Sequence, residues 1–341
     1  MDQERRRNVT AADVGRAVGV SRSAVSRAFT PGAFIAEDTR RRVIEAAERL
    51  GYTPNALARM LISRRSRIVG VVMGSLTNPF RAILLDRLIA ELRAADYLPV
   101  LFQVTAASPI EALLPAMLQY QPEAVVVTGF TPSAKAARQA AASGAQVIVL
   151  NRGVAADVPG GFISCDHIAG GGLVAAAFVV AGYCRPALVG VVADGASNQD
   201  REAGFRARLA EAGLTPAHAV EAAGYEGGVT AARRLMAGRE RPDAVFCLND
   251  LIALGFIDGA REAGLEPQRD YGIAGFDNIQ MAAWPAYRLS SIEQPIDGLA
   301  CETVEALRRA TTGAAALGTW SSLLPGAFIA RNSLRGQPLP S

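Results

Sequence analysis

From residue 68 onward the chain alternates short, unbroken apolar runs with longer helical stretches, and this alternation restricts the fold more than any other feature. Residues 68–73, 98–104, 124–128 and 147–150 read as strands, with helices at 80–94, 110–118 and 134–142 between them. Strands apolar along their whole length must be covered on both faces, which predicts a parallel sheet with helices front and back. The pattern then repeats from residue 162, with helices at 170–181, 201–212, 229–237 and 251–263 and strands at 187–192, 244–248 and 271–276. Two successive doubly wound units predict two lobes with a cleft between them. An extended segment at 289–292, a helix at 296–309 and a strand-like run at 326–330 have no unit of their own, and are expected to cross back between the lobes as a multi-segment hinge.

Residues 9–50 contain no strand pattern and read as three short helices. Thr10 followed by Asp13 is a helix-start signature, and Val14, Ala17 and Val18 form an apolar stripe behind it. Gly19 breaks this helix, Ser21 can cap a second one reaching Phe29, and a third is expected over 37–50 with Gly51 as its stop. Val25 and Ala28 then face inward, leaving Arg22, Ser23, Ser26 and Arg27 outward on the second helix. Arginine suits bidentate contact to guanine O6 and N7, and serine suits phosphate. After Tyr52 the stretch 55–61 is a helical segment too short to be stable alone in water, and 63–67 is a polar linker.

Charge follows this division. Residues 1–67 hold fourteen arginines and seven acids, a net +7, so the remainder carries −4 of the overall +3. A basic head on a mildly acidic body points to a polyanion partner for the head. The polar start MDQERRRNVT and the absence of any apolar run near ~18 residues exclude a signal peptide and a membrane span, so a cytoplasmic location is expected. Cys165, Cys184, Cys247 and Cys301 form no C-x-x-C pair and read as reduced, mostly buried thiols. His167 and His218 have no second ligand at metal spacing, and no P-loop, G-x-G-x-x-G after a strand or nucleophile elbow occurs. No metal, cofactor or catalytic residue is therefore assigned, and the expectation is a binding protein, not an enzyme. Asp166-His167 reads as a structural element at a lobe boundary. A transport solute-binding protein would match the body alone, but not the basic helical head.

The stretch 9–27, VTAADVGRAVGVSRSAVSR, followed by RRVIEAAERLGYTPN at 41–55, resembles the head of the lactose/galactose-repressor (LacI/GalR) family, and the resemblance extends over essentially the whole chain. It implies an all-α helix-turn-helix head on an α/β periplasmic-binding-protein-like core of two doubly wound parallel-sheet lobes. The implied division is a DNA-binding domain at 1–51, a hinge helix and linker at 52–67, and an effector-binding and dimerisation domain at 68–341. Within the last, the N-lobe takes about 68–162 and 293–323, and the C-lobe about 163–290 and 326–341. The resemblance gives base contacts to Arg22, Ser23 and Arg27, and backbone contacts to Thr10, Ser21, Ser26, Tyr52 and Asn55. Leu61 becomes the minor-groove wedge of a hinge helix that orders on DNA.

In the body, SLTNPF at 75–80, REAGF at 201–205, Asn249-Asp250 and GFDN at 275–278 match the family's ligand loops. They put Phe80, Arg201, Asn249 and Asp277 around an effector, with Asn151 and Gln294 as further contacts. Forked donors, an acceptor for adjacent hydroxyls and a covering ring suit a polar ligand, at family level a sugar or sugar-derived metabolite. Ser197-Asn198-Gln199 match no familiar specificity pattern, so the resemblance names no effector. A palindromic operator and a homodimer are the implied partners. The ending at 332–341, with two prolines and no leucine heptad, adds the expectation of a dimer instead of a tetramer.

Overall fold

The computed structural model describes residues 9–30, 32–53, 65–105, 107–151, 160–191, 195–221, 224–238, 240–311 and 320–336. The chain divides into two compact units, Met1–Ser66 and Arg67–Ser341.

The first unit contains α1 (Ala11–Val18), α2 (Arg22–Ala28) and α3 (Glu37–Leu50). Thr10 caps α1 reciprocally: its hydroxyl oxygen accepts from the Asp13 backbone N–H, and its own N–H donates to the Asp13 carboxylate across 2.9 Å. Hydrogen bonds from Thr10 hold the Asp13 carboxyl down to about 2. Ser21 caps α2 by accepting from Ala24 N–H at 3.2 Å. Gly19 and Gly51 take left-handed φ values of 72° and 69°, ending α1 and α3 at no steric cost. The core is small: Val14, Val25, Ala28, Val43, Ala46 and Ala47. Two arginines of α3 reinforce it, Arg40 donating to the Ala28 and Ala33 carbonyls and Arg42 to that of Val18.

The second unit holds two six-stranded sheets. The first has β1 (Ile68–Met73), β2 (Leu98–Gln103), β3 (Ala124–Thr128), β4 (Gln146–Leu150), β5 (Gly161–Cys165) and β11 (Trp320–Leu324), ordered β11-β5-β4-β3-β1-β2 and parallel throughout. The second has β6 (Pro186–Val191), β7 (Ala217–Glu221), β8 (Ala244–Cys247), β9 (Gly272–Asp277), β10 (Ser290–Glu293) and β12 (Ala327–Ile329), ordered β12-β10-β9-β8-β6-β7, with β12 antiparallel at the edge. Helices α4 (Pro79–Ala94), α5 (Ile110–Leu118) and α6 (Ala134–Ala142) belong to the first lobe. In the second lie α7 (His167–Val180), α8 (Ala196–Glu211), α9 (Tyr225–Met236) and α10 (Asp250–Arg261), while α11 (Ile296–Thr311) returns to pack on α4.

Several elements differ from the sequence reading. Helices α7, α8 and α9 begin three to five residues early, because Asp166 caps α7 and the polar ASNQD run forms the first turn of α8. Strand β7 was not expected, being a short edge strand whose side chains do not form an apolar run, and neither was β11, whose two serines mask it. Strand β5 stays in the first sheet to Cys165, past the expected boundary at 162. Two of the four thiols, Cys184 and Cys301, are exposed.

The chain crosses between lobes after β5, after β10 and between β11 and β12. These crossings touch. Asp166 N–H donates to the Leu324 carbonyl at 2.8 Å, and a Cβ on Gly326 would stand 3.0–3.3 Å from Ile292, Glu293 and Cys165. In the second lobe the helices pair through backbone notches. A Cβ on Gly204 of α8 would lie 1.9 Å from the Ile168 carbonyl oxygen of α7, and one on Gly171 of α7 2.0 Å from that of Arg201. Gly228 and Gly255 repeat the arrangement between α9 and α10, at 2.0 and 1.9 Å.

Candidate functional site

In the head, the second helix carries the candidate base-reading side chains. Arg22, Ser23, Ser26 and Arg27 are exposed on one side of α2, while Val25 and Ala28 are buried on the other. Neither the Arg22 nor the Arg27 guanidinium has a partner among the described residues, so both are available to a polyanion. Ser23 shares a hydrogen bond with the Ser21 hydroxyl at 2.9 Å, next to the cap. The Thr10 hydroxyl donates to Asp13 at 2.6 Å. Tyr52 packs edge-on against Phe29, ring centres 5.9 Å apart, which sets its position beside the end of α2. Asn55 and Leu61 lie outside the described residues.

In the body, both sheets reverse strand order beside their first strands, and the crevice outside the carboxyl ends of strands at such a switch point is where doubly wound proteins bind ligands. A cleft opens there. From the first lobe it is lined by Asn78, Phe80 and Arg81 after β1, Thr128 and Gly129 at the end of β3, and Asn151 after β4. The second lobe contributes Ser197, Asn198 and Arg201 of α8, Asn249 before α10, and Asp277 at the end of β9.

Its centre is a buried ion pair. Arg201 and Asp277 are 5% and 4% exposed, and Arg201 Nη2 stands 3.3 Å from Asp277 Oδ1. The remaining groups of Arg201 are also used: Nη1 donates to the Leu248 carbonyl at 2.6 Å, Nε donates to His167 Nδ1 at 3.2 Å, and the guanidinium lies 3.7 Å over the Phe276 ring. The last contact to His167 fixes that ring with Nδ1 as acceptor and its proton on Nε2. Burial lowers the Arg201 pKa against the opposing pull of Asp277, and burial raises that of Asp277 against the pull of Arg201.

Asp277 is held from both lobes. Gln294 Nε2 donates to Oδ1 at 2.6 Å, and Asn78 Nδ2 donates to Oδ2 at 3.1 Å. A second bridge runs from the Ser197 hydroxyl of α8 to the Asn151 carbonyl at 3.0 Å. Asn151 and Asp277, both lining the cleft, adopt positive φ, 60° and 112°, an uncommon backbone state. Asn249 accepts from Ile252 N–H and so caps α10 while lining the cleft. Behind it Asp250 is wholly buried, accepting from Ser291 Oγ at 2.6 Å and Ile279 N–H at 2.8 Å, and burial pushes its carboxyl well above the usual range.

Of the effector residues expected from sequence, Phe80, Asn151, Arg201, Asn249 and Asp277 line one cleft. Gln294 does not: it is buried, and its amide orients Asp277 instead. Sequence reasoning assigned no contact to Asn78, Arg81 or Thr128, and Ser197 and Asn198 drew notice only as matching no familiar specificity pattern; all five line the cleft. Asn78 lay within the SLTNPF motif, of which only Phe80 was assigned to the ligand; in the structure it caps α4 and also reaches Asp277. His167, read as a structural element, adjoins the ion pair through Arg201.

A helix-turn-helix head with free arginines on its second helix, on a two-lobed body with a polar cleft, defines a DNA-binding regulator that carries a ligand site. Residues 10–55 match the bacterial regulatory proteins of the lacI family, and residues 175–334 match the periplasmic binding protein-like domain. The catabolite control protein A of Priestia megaterium is 29% identical over 294 residues, 85% of this chain and 88% of that protein. The ribose operon repressor of Escherichia coli K12 is 28% identical over 295 residues, 85% and 89%. Among solved structures, the lac repressor dimer bound to operator and the anti-inducer ONPF superposes with a TM-score of 0.85 at 23% identity, covering 96% of this chain and 99% of that one, a likeness of fold. The chain thus joins a head that matches the lacI family to a body that matches the periplasmic binding protein-like domain.

Proposed function

We propose that the chain is a transcription repressor that binds a palindromic operator as a homodimer in the cytoplasm, and whose operator affinity is set by a small polyhydroxylated effector, sugar or sugar-derived, held between the lobes. The observation that carries this reading is the exposed α2 face with Arg22 and Arg27 unpartnered among the described residues, in a head that matches the lacI family. A three-helix head reads one half-site, and two-fold pairing doubles its contacts, which favours an inverted repeat and a dimer. Arg22, Ser23 and Arg27 read bases. Thr10, Ser21, Ser26, Tyr52 and Asn55 hold the backbone, and Leu61 wedges the central step.

The sugar-type effector follows from the cleft chemistry and agrees with the name of one relative, the ribose operon repressor. Asp277 accepts from adjacent hydroxyls, Arg201 and Asn249 present donors, and Phe80 covers an apolar ring face. These groups bind without transforming, since the central carboxylate is already committed to Arg201, Gln294 and Asn78. A ligand that takes over the Asn78 contact changes what holds the lobes together, and any bias between lobe arrangements must appear in operator affinity, reciprocally.

The test combines operator selection from random inverted repeats with effector titration. Removing one member of a buried ion pair costs about 3–5 kcal/mol, so Arg201→Lys and Asn249→Ser, which keep the charge and the cap, are the informative variants. Both should lose the effector response while binding operator within about threefold of wild type without effector, because neither lies in the head. Full response in both variants would move the sensing site elsewhere, and failure to enrich any inverted repeat would remove the repressor reading.

A further inference from the structure

Among the described residues that line the cleft, three carry charge: Arg81, Arg201 and Asp277. Arg201 and Asp277 neutralise each other, which leaves the wall at +1, and that charge is Arg81. It is not braced as a structural arginine would be. Its guanidinium stands beside Gly74 and Gly129, 3.7–3.8 Å from the places where a Cβ would stand, and Nη1 donates to the Ser75 carbonyl at 3.0 Å. No carboxylate among the described residues pairs with it. A guanidinium has five N–H donors in a fixed fork, so a single carbonyl leaves most of them for a ligand.

One neighbouring feature of the cleft also favours negative charge. The first turn of α8, which brings Ser197 and Asn198 to the cleft, follows Gly195 and has no side-chain cap, so its amide dipoles are not offset by a side chain. The field of Arg81 also reaches Asp277, where it helps to hold the carboxylate. A neutral polyol would use Asp277 and Asn249 and leave Arg81 and this turn unanswered.

We propose that the cleft takes a sugar acid, an anionic polyol whose hydroxyls are read by Asp277 and Asn249 and whose carboxylate is received by the Arg81 fork. The inference rests on the effector-cleft reading above and specifies its ligand. A carboxylate matches better than a phosphate monoester, which carries about −1.5 to −2 at neutral pH and would confront Asp277 with more charge than one arginine offsets.

The test is calorimetric titration of the full chain with matched six-carbon pairs: gluconate against glucitol, galactonate against galactitol, glucuronate against glucose, galacturonate against galactose, with glucose 6-phosphate as a separate arm. At least one acid should bind about tenfold or more tightly than its neutral partner, with an advantage that shrinks as salt rises. Arg81→Gln should remove the advantage of the acid and spare the affinity of the neutral partner, while Arg81→Lys should retain part of it. Neutral partners binding as tightly as acids, an advantage that survives Arg81→Gln, a preference for the phosphate, or no binding of any acid would each overturn the proposal. A neutral sugar that binds at least as tightly as its acid partner, and whose binding Arg201→Lys weakens, would sink the charge assignment and leave the cleft reading standing. Binding of any probe that ignores both Arg201→Lys and Asn249→Ser would sink the cleft reading itself.

Discussion

Asn78 Nδ2 donates to Asp277 Oδ2 at 3.1 Å, joining the start of the first helix of one lobe to the end of β9 in the other across 199 positions of sequence. The same Asn78 uses its Oδ1 to cap α4 through Phe80 N–H, so one side chain fixes a helix start and a lobe contact together. Its partner Asp277 is also the acceptor of Arg201 and Gln294. The lobe contact and the ion pair therefore share one carboxylate, and a hydroxylated ligand competing for it competes for both.

Asn78→Ser separates the two roles of this residue. Serine still offers a cap acceptor, so stability should fall by no more than about 1 kcal/mol, but it cannot reach Asp277. Backbone amides of the Asn78 and Asp277 loops should exchange faster in the effector-free protein. Unchanged exchange there would show that the hydrogen bond does not hold the lobes.

Arg27→Ala should relax base preference at one operator position by about 1–3 kcal/mol, and Arg22→Ala should do so at another. Competition binding against single-base operator variants reads this directly. Equal weakening for all sequences, with a smaller salt slope, would make the residue a phosphate clamp.

Asp250 gives a pH signature. Its carboxyl is raised by burial and by the charge of Asp277, so between the unfolded value and the raised one the folded protein binds more protons than the unfolded. Stability contributed by this group is then present at low pH and lost as pH climbs through the folded value. Asp250→Asn, neutral throughout, lacks this pH dependence, so its stability relative to wild type should rise as pH goes from 4 to neutral, whatever the loss of one acceptor costs it. A difference constant with pH would contradict this.

Gly204 lies outside the cleft but one turn beyond Arg201 on α8, where a Cβ would collide with the Ile168 carbonyl. Gly204→Ala should force α8 outward, costing about 1–3 kcal/mol and moving the guanidinium off Asp277 and Phe276. Effector affinity should fall in a protein that still folds. A structure of the variant with Arg201 unmoved would refute the coupling.

Elements with a strong local signal were legible in the sequence: the buried strands β1 and β3, the capped helices α1 and α2, and the stop at Gly51. Strands β7 and β11 were not, since each is a short edge strand whose side chains do not form an apolar run, and the pairing partner of β11 is distant in the chain. The site divided in the same way. Arg201 and Asp277 stand in motifs that announce them, whereas the Ser197 to Asn151 bridge depends on which loops the two sheets bring together. Arg81 looked like any surface arginine in a helix until Gly74, Gly129 and the cleft gave it surroundings.

The three touching crossings also govern how the chain can be assembled as it is made. The first sheet is not finished until β11 has joined β5, and the second not until β12 has joined β10 and Ser333 has reached back to the Ile273 carbonyl. Synthesis proceeds from the N-terminus at about 5–20 residues per second, and domains ordinarily fold in that order. Here the head has all its core residues by Ala47, while both lobes wait for the final stretch and then close almost together. A ribosome stalled shortly before residue 320 would thus display a head able to fold on a body with two open sheet edges, the form of this protein most exposed to chaperones and to aggregation.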